Sequence, residues 1–123
     1  FFPACRFSVL KDSAAAISGS QGVVNATPVG MTSPPGLPFA PSLLECGQWL
    51  ADIIYFPLAT PLLAAARSQG HKAANGVSMV VGQAADAFRL MTGHVPDRER
   101  MLARLEAEDL GLHPLHCLFV FVE

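Results

Sequence analysis

Three short segments constrain this chain more than anything else in it. They are Val23-Val24-Asn25-Ala26-Thr27-Pro28-Val29-Gly30-Met31, Asp52-Ile53-Ile54-Tyr55-Phe56-Pro57 and Asn75-Gly76-Val77-Ser78-Met79-Val80-Val81-Gly82-Gln83. In the first two, small or polar residues follow directly on a short apolar run. That is the pattern of an α/β sheet at the carboxyl ends of its strands, where ligands bind in the crevice beyond the sheet.

Between and after these segments the elements can be placed by their local chemistry. Ser13 to Ile17 suits a short helix, which Ser18 to Gly22 breaks. Gly22 to Ala26 carries the β-branched pair of a short buried strand, and Thr27 to Gly30 turns the chain away. From Thr32 to Pro41 four prolines and a glycine in ten residues rule out helix and central strand. Trp49 to Phe56 reads as a second strand, with Ile53 and Ile54 in a run apolar on both faces, as in a parallel sheet covered by helices; Pro57 stops it. Thr60 is a suitable N-cap, Pro61 sits where its missing N–H is harmless, and Gly70 closes the helix begun there. His71 to Ala74 allows a third strand. Val77 to Thr92 places Val80, Val81, Ala84, Ala85, Phe88 and Met91 at helical spacing, which predicts a mostly buried helix ended by Gly93. Pro96-Asp97 opens a charged surface helix around Met101, Leu102 and Leu105, ended at Leu110-Gly111. The tail closes on Leu118 to Val122, an uncharged run of high β-propensity. No repeat of 20–50 residues is present.

A length of 123 residues fits one domain. A charged fraction of 15% and a net charge of −2 supply no field to hold nucleic acid or an acidic membrane surface. Cys5, Cys46 and Cys117 are odd in number and widely spaced, which suits reduced thiols and a cytoplasmic setting. The N-terminus lacks the order of a signal peptide, and no run approaches the ~20 apolar residues of a membrane span. Because the first residue is Phe1 and not methionine, the expectation is a fragment or a processed product.

Taken together and in order, the three segments resemble the C-terminal half of the shikimate/quinate dehydrogenase family. The likeness runs from about Gly22 to about Glu108 and also rests on Thr60-Pro61-Leu62-Leu63 and on Ala84-Ala85-Asp86-Ala87-Phe88. It implies three parts: an unmatched segment 1–21, a stretch 22–108 comprising the end of an NAD(P)-binding domain and its closing helices, and an unmatched tail 109–123. The fold it implies is α/β, a partial Rossmann-like parallel sheet with C-terminal helices. The activity implied is reversible hydride transfer between NADP or NAD and the alcohol carbon of shikimate or quinate. By the same resemblance, Asn25, Ala26 and Thr27 lie beside the cofactor, Ile53, Gly76 and Met79 line its nicotinamide end, and Tyr55 and Gln83 hydrogen-bond the substrate. These residue types suit the chemistry: glycine permits close backbone approach, Ile53 and Met79 exclude water, and a hydroxyl with an amide pairs a polyhydroxy ring.

The departures from the family pattern are equally informative. The family's lysine–aspartate pair belongs to a preceding domain, and Lys11 and Lys72 stand in no comparable setting. No catalytic residue is therefore assigned. There is no G-x-G-x-x-G among the ten glycines, so the phosphate-binding turn is missing and cofactor affinity in isolation is expected to be poor. Asn75 stands where the family has aspartate, which removes a charge near the cleft. The chain alone is expected to be nearly inactive, with a missing N-terminal half or a second copy as its partner; a non-catalytic relic and a metabolite-sensing binding module are the other two classes. Met79, Phe88 and Met91 read first as core residues, and Asp86 with Arg89 as a weak surface pair. His113, His116 and Cys117 lack a fourth ligand and the usual paired spacing, so no metal site is assigned.

Overall fold

The computed structural model describes residues 8–108, and the tail run, Cys5, His113, His116 and Cys117 lie outside them. Three strands, β1 (Gly22–Asn25), β2 (Trp49–Asp52) and β3 (Lys72–Ala74), form one parallel sheet in the order β1-β2-β3. Four α-helices accompany it: α1 (Ser13–Ile17), α2 (Pro61–Ser68), α3 (Val77–Thr92) and α4 (Arg98–Glu108).

The helix ends follow their capping residues. Asp12 caps α1 by accepting from the Ala14 N–H at 3.0 Å. Thr60 Oγ1 accepts from Leu63 N at 3.2 Å at the start of α2, with Pro61 in the first turn. Past the other end Gly70 takes φ 83°, where a side chain would be strained. Gly93, at φ 74°, ends α3 in the same way.

The core lies on one face of the sheet. Register aligns Val23 with Leu50 and Leu50 with Ala73. This row packs with Ile17, Leu44, Leu62, Leu63 and Ala66, of which Leu62, Leu63 and Ala66 are 0% exposed. Complete burial of a leucine contributes about 1.5–3 kcal/mol, so α2 is held mainly by its two leucines.

Four expectations need correction. β2 ends at Asp52 and not at Phe56. The Asp52 carboxylate takes the Ile54 N–H at 3.1 Å, which bends the backbone out of the strand; Ile54 stays buried while Ile53 becomes exposed. Among the described residues the sheet is covered on one face, because the single helix between β2 and β3 lies on the core side, and on the other face Val24 is 55% exposed. For the same reason α3 is mostly exposed: only Val77, Val81 and Ala85 are buried along it, and Met91 is a surface residue, not a core one. Finally, Asp86 pairs with Arg98 at 2.6 Å and not with Arg89, since the α3–α4 hairpin brings the start of α4 back against α3. As expected, α4 lies on the surface, with Met101, Leu102 and Leu105 half-buried.

Candidate functional site

The register sets the carboxyl ends of the three strands in one row. Asn25 is aligned with Asp52, and Ala51 with Ala74, so Asn75, one residue past β3, falls on the same line as Asn25 and Asp52. The backbone ladder continues past the strands, with Ile53 N donating to Asn25 O and Gly76 N donating to Ile54 O, each at 3.0 Å. Residues far apart in the chain, 25–27, 52–54 and 75–76, thereby become neighbours along a single rim.

Beneath that rim runs a connected polar network. Asn25, 3% exposed, donates through Nδ2 to Asp52 Oδ1 at 3.1 Å and to Val29 O at 3.5 Å. Its Oδ1 accepts from Thr27 N at 3.1 Å and from Thr27 Oγ1 at 2.7 Å, and Thr27 Oγ1 accepts in turn from Val29 N at 3.3 Å. Asp52, 2% exposed, accepts a further bond from Thr60 Oγ1 at 2.8 Å. Each donor is neutral, and no buried side-chain polar atom among the described residues lacks a partner. Satisfying buried groups in this way avoids the ~1–3 kcal/mol cost of each orphan and holds the loop in one conformation.

Gly76 is required where it stands. Its φ of −79° is open to any residue, so the constraint is steric: a Cβ would fall within 3.0 Å of the Ile53 carbonyl oxygen and 3.2 Å from Ile53 Cα. Asn75 anchors the same corner, accepting from Val77 N at 3.3 Å and donating through Nδ2 to Leu58 O at 3.1 Å. An ionised aspartate at this position would have no hydrogen for Leu58 O, so the asparagine supplies a bond that an aspartate could not.

The expected site residues fall into two groups. Asn25, Ala26, Thr27, Ile53 and Gly76 gather on the rim, with Ala26, Thr27 and Ile53 exposed. Tyr55 and Met79 are 44% and 42% exposed, on the turn after β2 and in the first turn of α3. Gln83 lies one helical turn beyond Met79, also exposed. Two shallow depressions, of about 200 and 240 Å3, are lined by other residues, the first between α3 and α4 and the second around Gln48, Trp49, His71 and Lys72. Among the described residues no three His, Cys, Asp or Glu side chains cluster to hold a metal, and no helix is long and apolar enough to cross a membrane. Sequence reasoning missed Asp52 as a hub. Its signal was a carboxylate closing an apolar strand eight residues before the N-cap threonine that it holds.

Known proteins are similar to this chain in sequence and in fold. The family model of the shikimate 5'-dehydrogenase C-terminal domain matches residues 76–106. A shikimate dehydrogenase (NADP(+)) of Streptomyces avermitilis is 48% identical over 87 residues, which is 71% of this chain and 30% of that protein. A quinate/shikimate dehydrogenase (NAD(+)) of Corynebacterium efficiens is 49% identical over 88 residues, 72% of this chain and 31% of the relative. Among solved structures, quinate dehydrogenase from Corynebacterium glutamicum in complex with NAD superposes with a TM-score of 0.71 at 44% identity, covering 76% of this chain and 33% of that one. The fold is thus the expected α/β one, part of a Rossmann-like sheet, and the chain spans just under a third of the length of these curated relatives. Over its matched stretch, the chain is similar throughout to the C-terminal part of the shikimate/quinate dehydrogenase family.

Proposed function

We propose that residues 22–108 form the nicotinamide-side wall of an NAD(P)-dependent dehydrogenase acting on shikimate or quinate, in a cytoplasmic setting. The observation that carries the reading is the convergence of Asn25, Ile53 and Gly76 on one rim at the carboxyl ends of three parallel strands, where dinucleotides bind in such sheets. The donor set fits the group: backbone and small side chains at 25–27 permit close approach, while Ile53 and Met79 offer apolar surface to a flat ring.

When bound, NADP+ or NAD+ would supply a hydride acceptor for the alcohol carbon of shikimate or quinate. The chain's own residues position the reactants. Asn25, Ala26 and Thr27 hold the cofactor against the strand ends, and Ile53, Gly76 and Met79 shield its reactive face from water. The Tyr55 hydroxyl and the Gln83 amide pair with substrate hydroxyls. No residue among 22–108 is assigned to take the alcohol proton, and an N-terminal half of the kind the family resemblance implies would supply that base.

Mixing the 123-residue chain with the N-terminal half of a Corynebacterium relative, with shikimate or quinate and either cofactor, tests this. The chain alone gives no turnover and the mixture regains it, with Gln83→Ala raising KM more than it lowers kcat. Robust turnover by the chain alone would show that it carries a base unassigned above. A mixture that binds cofactor and stays inactive would favour the metabolite-sensing module, and one that binds nothing the relic.

A further inference from the structure

The buried carboxylate of Asp52 has no assigned contact with cofactor or substrate, yet three donors end on it, one of them the Asn25 amide of the proposed cofactor wall. We propose that Asp52 is a positioning residue: it sets the orientation of the Asn25 amide and thereby leaves the Thr27 hydroxyl able only to accept a hydrogen bond from an incoming cofactor. This deepens the dehydrogenase reading and rests on it for the identity of the ligand.

The chain of reasoning is one of donors and acceptors. Asp52 Oδ1 accepts from Ile54 N at 3.1 Å and so faces Asn25 as an acceptor, which sets the Asn25 amide nitrogen against it at 3.1 Å. The Asn25 oxygen is then turned to Thr27, where it accepts both the backbone N–H at 3.1 Å and the hydroxyl at 2.7 Å. A threonine hydroxyl has a single hydrogen, and this bond uses it. One lone pair of the hydroxyl faces Val29 N at 3.3 Å and the other is left for a ligand. Thr27 is exposed, whereas Asn25 and Asp52 are 3% and 2% exposed, so the buried pair dictates what the surface residue offers. The chemistry recognised at Thr27 is accordingly a donor, such as a ribose hydroxyl or a carboxamide N–H, and not a phosphate oxygen. Thr60 Oγ1, donating to the second carboxylate oxygen at 2.8 Å, keeps Asp52 in place and links the rim to the start of α2.

The test is Asp52→Asn in the full chain, followed by hydrogen exchange and by titration with NAD+ and NADP+. The variant carboxamide can face Asn25 with either atom, so the Asn25 orientation then rests on Thr27 N–H and the Val29 carbonyl alone and is held less firmly. Exchange at the Asn25 side-chain amide and at Thr27 N–H should accelerate roughly 10-fold or more, while amides in the middle of α3 keep their rates; affinity for nicotinamide nucleotide should fall roughly 5–10-fold, as for one hydrogen bond lost. Unchanged exchange at Asn25 and Thr27 in a folded variant overturns the proposal. Should the variant not fold, the wild-type chain decides: a slowly exchanging Asn25 side-chain amide supports the hub, and one exchanging as fast as the exposed Gln83 amide refutes it. If the exchange results hold but the wild-type chain binds neither nucleotide, even with an N-terminal half added, the dehydrogenase reading fails and the hub survives as a structural device.

Discussion

Replacing Gly76 by alanine probes the corner where the third strand passes into α3. The backbone there, at φ −79° and ψ −1°, accepts alanine without strain. The penalty is therefore one of contact. The new methyl would lie within 3.0 Å of the Ile53 carbonyl oxygen and at 3.2 Å from Ile53 Cα, against about 3.5–4.0 Å for carbons at their optimum. Both opposing atoms are backbone, so relief requires the turn after β2 to move away from the start of α3. That motion breaks the 3.0 Å bond from Gly76 N to Ile54 O. Overpacking costs about 1–3 kcal/mol and the lost hydrogen bond about 1, so Gly76→Ala should destabilise the chain by about 2–4 kcal/mol. Urea unfolding measures this directly, with Gly82→Ala as control: that glycine is on the same helix, nothing lies within 4 Å of where its methyl would stand, and alanine there should stabilise the chain by about 0.5–1 kcal/mol. If Gly76→Ala unfolds within about 0.5 kcal/mol of wild type, a range usual for innocuous surface changes, the close approach of the two loops is wrong.

Three further substitutions bear on the same region. Asn75→Asp leaves the Leu58 carbonyl facing a carboxylate where it had a donor, and should lower unfolding free energy by about 1–3 kcal/mol in a denaturant titration. Thr60→Ala removes both the cap on Leu63 N and the donor to Asp52, with an expected loss of about 2–3 kcal/mol and a lowered thermal midpoint; a change under half that would show that the network is not cooperative. Arg98→Ala breaks the pair with Asp86, but both side chains are more than half exposed, so unfolding should shift by less than about 1 kcal/mol.

Elements marked by local chemistry were legible in the sequence. Thr60, Pro61 and Gly70 bracket α2, and Gly93 ends α3, because caps and left-handed glycines act within a few residues. By resemblance, Asn25, Ala26, Thr27, Ile53 and Gly76 were expected beside one cofactor, and the register brings the strand ends that carry them together. What escaped was set at longer range. The end of β2 depends on where a carboxylate turns, the exposure of α3 on how many strands and helices surround it, and the partner of Asp86 on a helix beginning 12 residues later. Periodicity marks which residues of α3 are apolar but not whether a neighbouring element covers them, and so Met91 was expected in the core and lies on the surface.

The most direct test of a cofactor wall at the strand ends is a heteronuclear NMR titration of the full chain with NADP+ and NAD+, following backbone amides. Shifts concentrated at residues 25–27, 53, 76 and 79 are the predicted result, weak in affinity because no glycine-rich turn grips the phosphates. Shifts confined instead to the depression around Trp49, His71 and Lys72 would contradict it.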